Sequence, residues 1–148
     1  MSILARLFQK HYEVYTDGSV KEGRSAWAYV ITHKGRVVLE AAGRDKHSTC
    51  NQMEFQAAIE ALKQIPAGSK ITLYTDSRIL VTTMNIWRLE WRTQGWCKKT
   101  GRPVPHLEQV RVLDDLHSQH EITWKWIKAH SGIPFNERCD ELCIQARG

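Results

Sequence analysis

The amino-acid sequence predicts an α/β fold built on a five-stranded mixed sheet, three strands antiparallel and then parallel ones, flanked by helices. Three observations carry that prediction. Residues 12–42 hold three runs rich in β-branched and aromatic residues with short turns between them. Near Asn51 the hydrophobic period changes from that of a strand to that of a helix. Beyond it strand-like and helix-like runs alternate, and strands separated by helices pair in parallel through right-handed crossovers.

Residues 12–17, 26–32 and 36–42 are the three antiparallel strands, with His33-Lys34-Gly35 as a hairpin turn. From Asn51, the residues Glu54, Ala58, Ala61, Leu62 and Ile65 fall on one helical stripe, which Pro66-Ala67-Gly68 ends. A strand over 70–75 follows. After Asp76 the pattern is helical through Met84 and Trp91, then basic and irregular over 92–105. A helix over 107–119 buries Val110, Leu113 and Leu116, and a strand over 121–127 leads into the loop His130-Ser131-Gly132. The last helix, 134–146, begins with proline in its first turn, where the missing N–H costs nothing. With no repeat, low-complexity segment or linker, a single domain over 1–148 is expected.

Composition narrows the function. At 42% hydrophobic residues the chain can bury a core. Its apolar runs, such as 71–74, are far shorter than the roughly 20 residues of a membrane helix. The start Met1-Ser2-Ile3-Leu4-Ala5-Arg6 lacks the long apolar core of a signal peptide. A cytoplasmic protein without a membrane partner, and a monomer, is therefore expected. Cys50, Cys97, Cys139 and Cys143 form no CxxC pair and have no matching histidine pair, which argues against structural zinc and for free thiols in a reducing compartment. A formal net charge of +5 tilts the expectation toward a polyanionic partner.

The acids are the sharpest signal. The tripeptide Tyr-Thr-Asp occurs twice, ending at Asp17 and Asp76, each at the carboxyl end of a predicted strand and followed by a small residue expected to break it. If those strands are parallel neighbours, both aspartates emerge at the sheet edge where ligands of open α/β sheets bind. Glu54 lies in the first turn of its helix on the stripe that should face the sheet, and Asp140 sits beside Cys143 and Ile144 on an apolar side of the last helix. A carboxylate on a buried face is costly unless paired, and crowded carboxylates repel unless a cation neutralises them. Hard oxygen ligands without histidine or thiolate partners favour Mg²⁺ or Mn²⁺ over zinc. Taken singly, each acid could equally cap a helix or pair with a surface Lys or Arg.

Taken together, Tyr15-Thr16-Asp17-Gly18-Ser19, Asn51-Gln52-Met53-Glu54, Tyr74-Thr75-Asp76-Ser77, Lys128-Ala129-His130-Ser131-Gly132 and Asn136-Glu137-Arg138-Cys139-Asp140-Glu141-Leu142 resemble type 1 ribonuclease H, in that family's order and over residues 12–146. The resemblance implies the RNase H-like fold and an endonuclease that hydrolyses the RNA strand of RNA/DNA hybrids. It implies that Asp17 bridges two Mg²⁺ ions (Mn²⁺ as the alternative), with Glu54 and Asp76 on one side and Asp140 on the other. His130 matches the loop histidine that assists proton movement and product release. Asn51, Gln52 and Arg78 match positions facing the hybrid's minor groove, and Thr49 matches part of a pocket for a DNA phosphate. Residues 87–105 resemble the family's basic protrusion, with Trp87, Trp91 and Trp96 in place and Lys98, Lys99 and Arg102 supplying charge. Tryptophans at helical spacing are more often core, and Trp91 is expected to be partly that.

The chain departs from the pattern in places. Val20-Lys21-Glu22-Gly23-Arg24-Ser25 replaces a Gly- and Pro-rich turn, Cys50 stands where asparagine is common, Lys46 or His47 stands near an expected arginine, and His106 near an asparagine. None is one of the four acids, so altered affinity is expected before lost activity. Three other readings compete: a non-cleaving nucleic-acid-binding module of the same fold, a DNA-acting polynucleotidyl transferase, and a ribonuclease H domain of a reverse transcriptase, against which the basic arm argues. The presence of all four acids argues against the first, and the Asn51–Glu54 segment with the basic arm argues against the second.

Overall fold

In the computed structural model, which describes residues 2–148, a short helix α1 (Ile3–Leu7) precedes three antiparallel strands, β1 (His11–Lys21), β2 (Arg24–His33) and β3 (Arg36–Lys46). Both hairpins close on two-residue turns with left-handed backbone, Glu22-Gly23 at φ 52° and 74° and Lys34-Gly35 at 52° and 78°. That geometry matches the twist of the strands, and the glycine adopts it without a Cβ penalty. Helix α2 (Cys50–Lys63) follows, then β4 (Lys70–Thr75), α3 (Arg78–Thr82), a π-helical turn at Thr83–Trp87, α4 (Arg88–Thr93), α5 (Leu107–Ser118), β5 (Glu121–Trp126) and α6 (Pro134–Arg147). The five-stranded sheet has the order β3-β2-β1-β4-β5, with β1, β4 and β5 parallel. The predicted mixed sheet is therefore present.

Successive residues of β1 point to opposite faces and so seed two cores. Val14 packs with Phe55, Leu62, Leu73, Leu113 and Trp124 beneath α2 and α5. Tyr15 packs with Ala28, Val30, Cys139 and Cys143 beneath α6. Leu116, expected to be buried on α5, is only partly so.

Two local readings need correction. Gly18 does not break β1: the strand continues to Lys21, with Gly18 opposite Trp27 and Lys21 opposite Arg24. The glycine serves clearance, because a Cβ there would stand 2.5 Å from the Glu54 backbone nitrogen and 2.6 Å from the Met53 carbonyl carbon. The segment from Ser77 to Thr93 is likewise not a plain helix. At the π turn the Arg88 N–H reaches back to the Thr83 carbonyl, while the buried Arg88 side chain donates from Nε to the Met84 carbonyl (3.0 Å) and from a terminal nitrogen to Asp114 (2.8 Å). A side chain thus satisfies a carbonyl beside the altered ladder, and π turns of this kind are frequent at functional sites.

Candidate metal-dependent active site

Three elements bring the acids together. In the parallel register Thr16 lies opposite Thr75, so Asp17 and Asp76 emerge side by side at one edge of the sheet. Glu54 arrives from α2 one position beyond the first turn expected from the sequence, and a capping box fixes that turn: the Thr49 hydroxyl accepts from the Gln52 N–H (3.1 Å) and the Gln52 carbonyl Oε1 accepts from the Thr49 N–H (2.8 Å). Carboxylate oxygens of Asp17, Glu54 and Asp76 all lie within 4.8 Å of one another. Asp17 is 8% and Glu54 5% exposed, whereas Asp76 is half-buried.

Burial and mutual repulsion dominate the electrostatics. Burial first, then the charges of Asp76 and Asp140, push Asp17 from its ordinary 3.8 up to about 7. Burial and the neighbouring Asp17 and Asp76 hold Glu54 well above the usual carboxylate range. Asp76 is also raised, chiefly by burial. Glu54 Oε2 is buried and has no hydrogen-bond partner. An oxygen-only donor set with an unpartnered buried carboxylate oxygen fits a hard divalent cation, which would relieve both the repulsion and the orphaned atom.

The cluster floors an open cleft of about 760 Å³ that is also lined by Asn51, Arg78, His130 and Asp140. Asp140 follows Asn136 by one helical turn on α6, and both face the cleft. His130 sits in a tight loop with left-handed backbone (φ 53°), held where the Ser131 hydroxyl donates to the Lys128 carbonyl at 2.6 Å.

The remaining predicted residues divide between this cleft and its surroundings. Trp87, Trp91 and Lys98 line an adjoining apolar groove of about 400 Å³ with Phe55 and His106, and Asn51 borders both cavities. Trp91 is 9% exposed and packs with Val104 and Val110, whereas Trp87 is 39% exposed. Thr49 and Gln52 spend side-chain hydrogen bonds on the helix cap, and Gln52 lines a separate polar groove with Gln56 and Gln109. Lys99 is exposed on the basic loop, whose ends meet in a bridge between Cys97 and Pro103. Cleft residues not singled out in the sequence include Trp126 and Asn136. Asn136 had a usable signal, one turn before Asp140. Trp126 had a weaker one, an aromatic at the outer end of the last strand two residues before Lys128.

Comparison with known proteins agrees with this geometry. The RNase H family matches residues 9–147. The ribonuclease H of Hahella chejuensis (strain KCTC 2396) is 39% identical over 135 residues, covering 90% of this chain and 90% of the relative. Among solved structures, LC9-RNase H1, described as a type 1 RNase H with the type 2 active-site motif, superposes with a TM-score of 0.83 at 24% identity, covering 95% of this chain and 73% of the other. LC11-RNase H1 in complex with an RNA/DNA hybrid gives a TM-score of 0.69 at 21% identity, covering 92% and 96%. At these identities the structural matches speak to the fold.

Proposed function

Because the chain belongs to the ribonuclease H family, we propose that it hydrolyses the RNA strand of RNA/DNA hybrids, with Asp17, Glu54, Asp76 and Asp140 holding two Mg²⁺ ions and His130 assisting proton transfer. The observation that carries the reading is the triad of Asp17, Glu54 and Asp76, the first two buried, with its unpartnered Glu54 oxygen, on the floor of an open cleft. Bound Mg²⁺ supplies Lewis-acid activation of water and stabilises charge on the departing oxygen. The chain's own residues do the rest. The four acids would fix where that charge sits. His130, at the rim, exchanges a proton through its imidazole between the cleft and solvent. Water adds to phosphorus and the P–O3′ bond breaks, leaving 5′-phosphate and 3′-hydroxyl ends.

Strand choice rests on contacts rather than on the chemistry. An RNA-containing duplex displays 2′-hydroxyls in a wide, shallow minor groove, and Asn51 and Arg78 flank the acids where such a groove would lie. The neighbouring groove with Trp87, Trp91 and Lys98 suits the sugar and phosphate of the DNA strand. In this reading residues 1–148 are one ribonuclease H domain whose basic protrusion spans about 87–105. All four cysteines are free, which suits a cytoplasmic setting, and no helix among the described residues is long and apolar enough to cross a membrane.

The test is incubation with an end-labelled RNA/DNA duplex in Mg²⁺ or EDTA, beside duplex RNA and duplex DNA, with wild type and Asp76→Asn. Cleavage confined to the RNA of the hybrid, dependent on Mg²⁺ and abolished in a variant that still binds hybrid, is expected. Equal activity in EDTA, efficient cutting of duplex DNA, or a tenth or more of wild-type kcat in Asp76→Asn would overturn the proposal.

A further inference from the structure

We infer that Trp126 is a positioning residue with two separate duties: its indole N–H fixes the backbone of Asp76, and its ring is the shelf on which Arg78 is presented to the hybrid's minor groove. The inference deepens the function proposed above and rests on it for the identity of the groove.

The parallel ladder between β4 and β5 ends where Ile127 donates its N–H to the Thr75 carbonyl (2.9 Å). One residue on, Asp76 lies outside β4. The Trp126 indole takes over, donating from Nε1 to the Asp76 oxygen at 3.1 Å. This side chain therefore adds a bond from β5 to the backbone just past the end of the ladder, at the residue whose carboxylate joins Asp17 and Glu54. On its other side Asp76 is followed by Ser77, whose hydroxyl caps α3 by accepting from the Leu80 N–H (3.1 Å). The aspartate is thus held between a capped helix and an indole donor, and only the indole contact lies on β5.

The same ring carries Arg78. Its guanidinium carbon stands 3.9 Å from the Trp126 ring centroid, well within cation–π range. Among the described residues Arg78 forms no ion pair. That difference matters chemically. A carboxylate partner would occupy guanidinium N–H groups, whereas an aromatic face attracts the cation and leaves its planar fork of donors available. Arg78 and Trp126 both line the acid cleft, so the free donors stand where ribose 2′-hydroxyls and base-edge acceptors of the hybrid would pass. Trp126 stays 39% exposed although it ends a strand whose other tryptophan, Trp124, is 4% exposed. A ring kept at the surface in this way serves the cleft rather than the core.

The two duties separate by mutation. Trp126→Phe keeps a ring and deletes the donor, Trp126→Leu deletes both, and Arg78→Leu deletes the presented cation. Two quantities are measured: anisotropy of a labelled RNA/DNA hybrid and of the matching DNA duplex in EDTA, and the Mg²⁺ concentration giving half of the maximal rise in Tm without nucleic acid. Trp126→Phe is expected to bind hybrid within about twofold of wild type, because the cation–π contact survives, while needing roughly fivefold more Mg²⁺, the equivalent of one ordinary hydrogen bond. Trp126→Leu is expected to show the same Mg²⁺ defect and a roughly two- to fivefold loss for hybrid but not for DNA duplex. The double variant Arg78→Leu with Trp126→Leu should bind hybrid no more weakly than Arg78→Leu alone, because the shelf is idle without its cation.

A wild-type Mg²⁺ requirement in Trp126→Phe would overturn the clamp. Unchanged hybrid binding in Trp126→Leu, or losses that multiply in the double variant, would overturn the shelf. Either result beside a wild-type enzyme that cleaves hybrid leaves the proposed function standing and removes only this inference. A wild-type enzyme that cleaves no hybrid and binds it no better than DNA duplex removes the functional reading instead, and the shelf with it.

Discussion

Gly18 and Glu54 meet with no room for a side chain between them: the Glu54 backbone nitrogen lies 2.5 Å from where a Cβ on residue 18 would stand. The contact presses the N-terminal part of α2, at Met53 and Glu54, onto β1 and brings the Glu54 carboxylate up to Asp17. Gly18→Ala must push strand and helix apart, because the obstructing atoms are backbone. Overpacking of this kind costs about 1–3 kcal/mol. A shift approaching 1 Å in a catalytic group can cost about 10²-fold in rate. We expect Gly18→Ala to lose roughly one to two orders of magnitude in kcat, with KM for hybrid within a few-fold of wild type and a Tm lower by several degrees. A variant with wild-type kcat would show that the Glu54 position does not depend on this clearance.

The raised acids make stability depend on both pH and metal. A carboxyl with a higher pKa folded than unfolded binds its proton more tightly in the fold, so stability falls as pH rises from the unfolded value toward the folded one. For Asp17 that window runs from 3.8 to about 7. Burial lowers the pKa of His117 and His120, and these groups act oppositely, removing stability as pH falls below the ordinary histidine range. The Tm difference between Glu54→Gln and wild type isolates the acids. In EDTA the variant should melt several degrees above wild type at pH 8, with the gap closing toward pH 5 and disappearing at pH 8 in saturating Mg²⁺. A gap absent in EDTA, or unchanged by Mg²⁺, would mean that repulsion among these acids is not what a cation relieves.

Arg88 and Asp114 form the buried ion pair that holds the π turn, at 6% and 12% side-chain exposure. Removing one partner of such a pair leaves an uncompensated charge and costs about 3–5 kcal/mol, whereas replacing both with apolar residues is often close to neutral. Arg88→Met should therefore lower Tm strongly, and Arg88→Met with Asp114→Leu should recover most of the loss. Arg92, which also approaches Asp114 at 3.7 Å, is half-exposed and can turn to water. A double variant as unstable as the single one would show that the guanidinium contact to the Met84 carbonyl, rather than charge balance, sets the cost.

What the sequence disclosed and what it hid divide along physical lines. The duplicated Tyr-Thr-Asp placed Asp17 and Asp76 together because a parallel register follows from strand, helix and strand, and the three elements are legible by period alone. Glu54 was legible because a carboxylate on an apolar stripe is anomalous. Gly18 was misread because a glycine in a strand reads locally as a breaker, while its reason is a helix arriving from Met53 and Glu54. The π turn had no local signature at all, since the residue beside it, Arg88, looks like a surface cation until Asp114 is brought to it from α5. The roles of Gln52 and Trp126 were hidden for a related reason: whether a polar or aromatic side chain caps, stacks or contacts substrate depends on neighbours distant in the chain.

His130 tests how far the acids work alone. Its loop is held by the Ser131 contact and by left-handed backbone at His130 and Gly132, so His130→Ala removes an imidazole without unfolding an element. A positioned proton-transfer group contributes about 10²- to 10⁴-fold, and a histidine at the rim should fall at the lower end. We expect a loss near 10²-fold in kcat with unchanged product ends. Wild-type activity would make His130 a surface residue, and loss as complete as in Asp76→Asn would place it in the metal site.

The basic loop is expected to set affinity rather than rate. Lys98 borders the groove that holds Trp87 and Trp91, and Lys99 and Arg102 stand exposed beside it. The loop is tied down at its base by Val104, 4% exposed against Trp91 and Val110, so its cations are presented from a fixed stem. Replacing Lys98 and Lys99 with alanine removes up to two phosphate contacts, which should make the slope of log K against log salt shallower by roughly one to two units. Because these lysines do not line the acid cleft, kcat at saturating hybrid should stay within a few-fold of wild type while KM rises, the pattern of lost uniform binding. Trp87→Ala, at a ring 39% exposed and 5.9 Å from that of Trp91, should raise KM in the same way without changing the salt slope. Measured at two salt concentrations, an unchanged KM and slope in the lysine variant would show that hybrid does not reach these lysines.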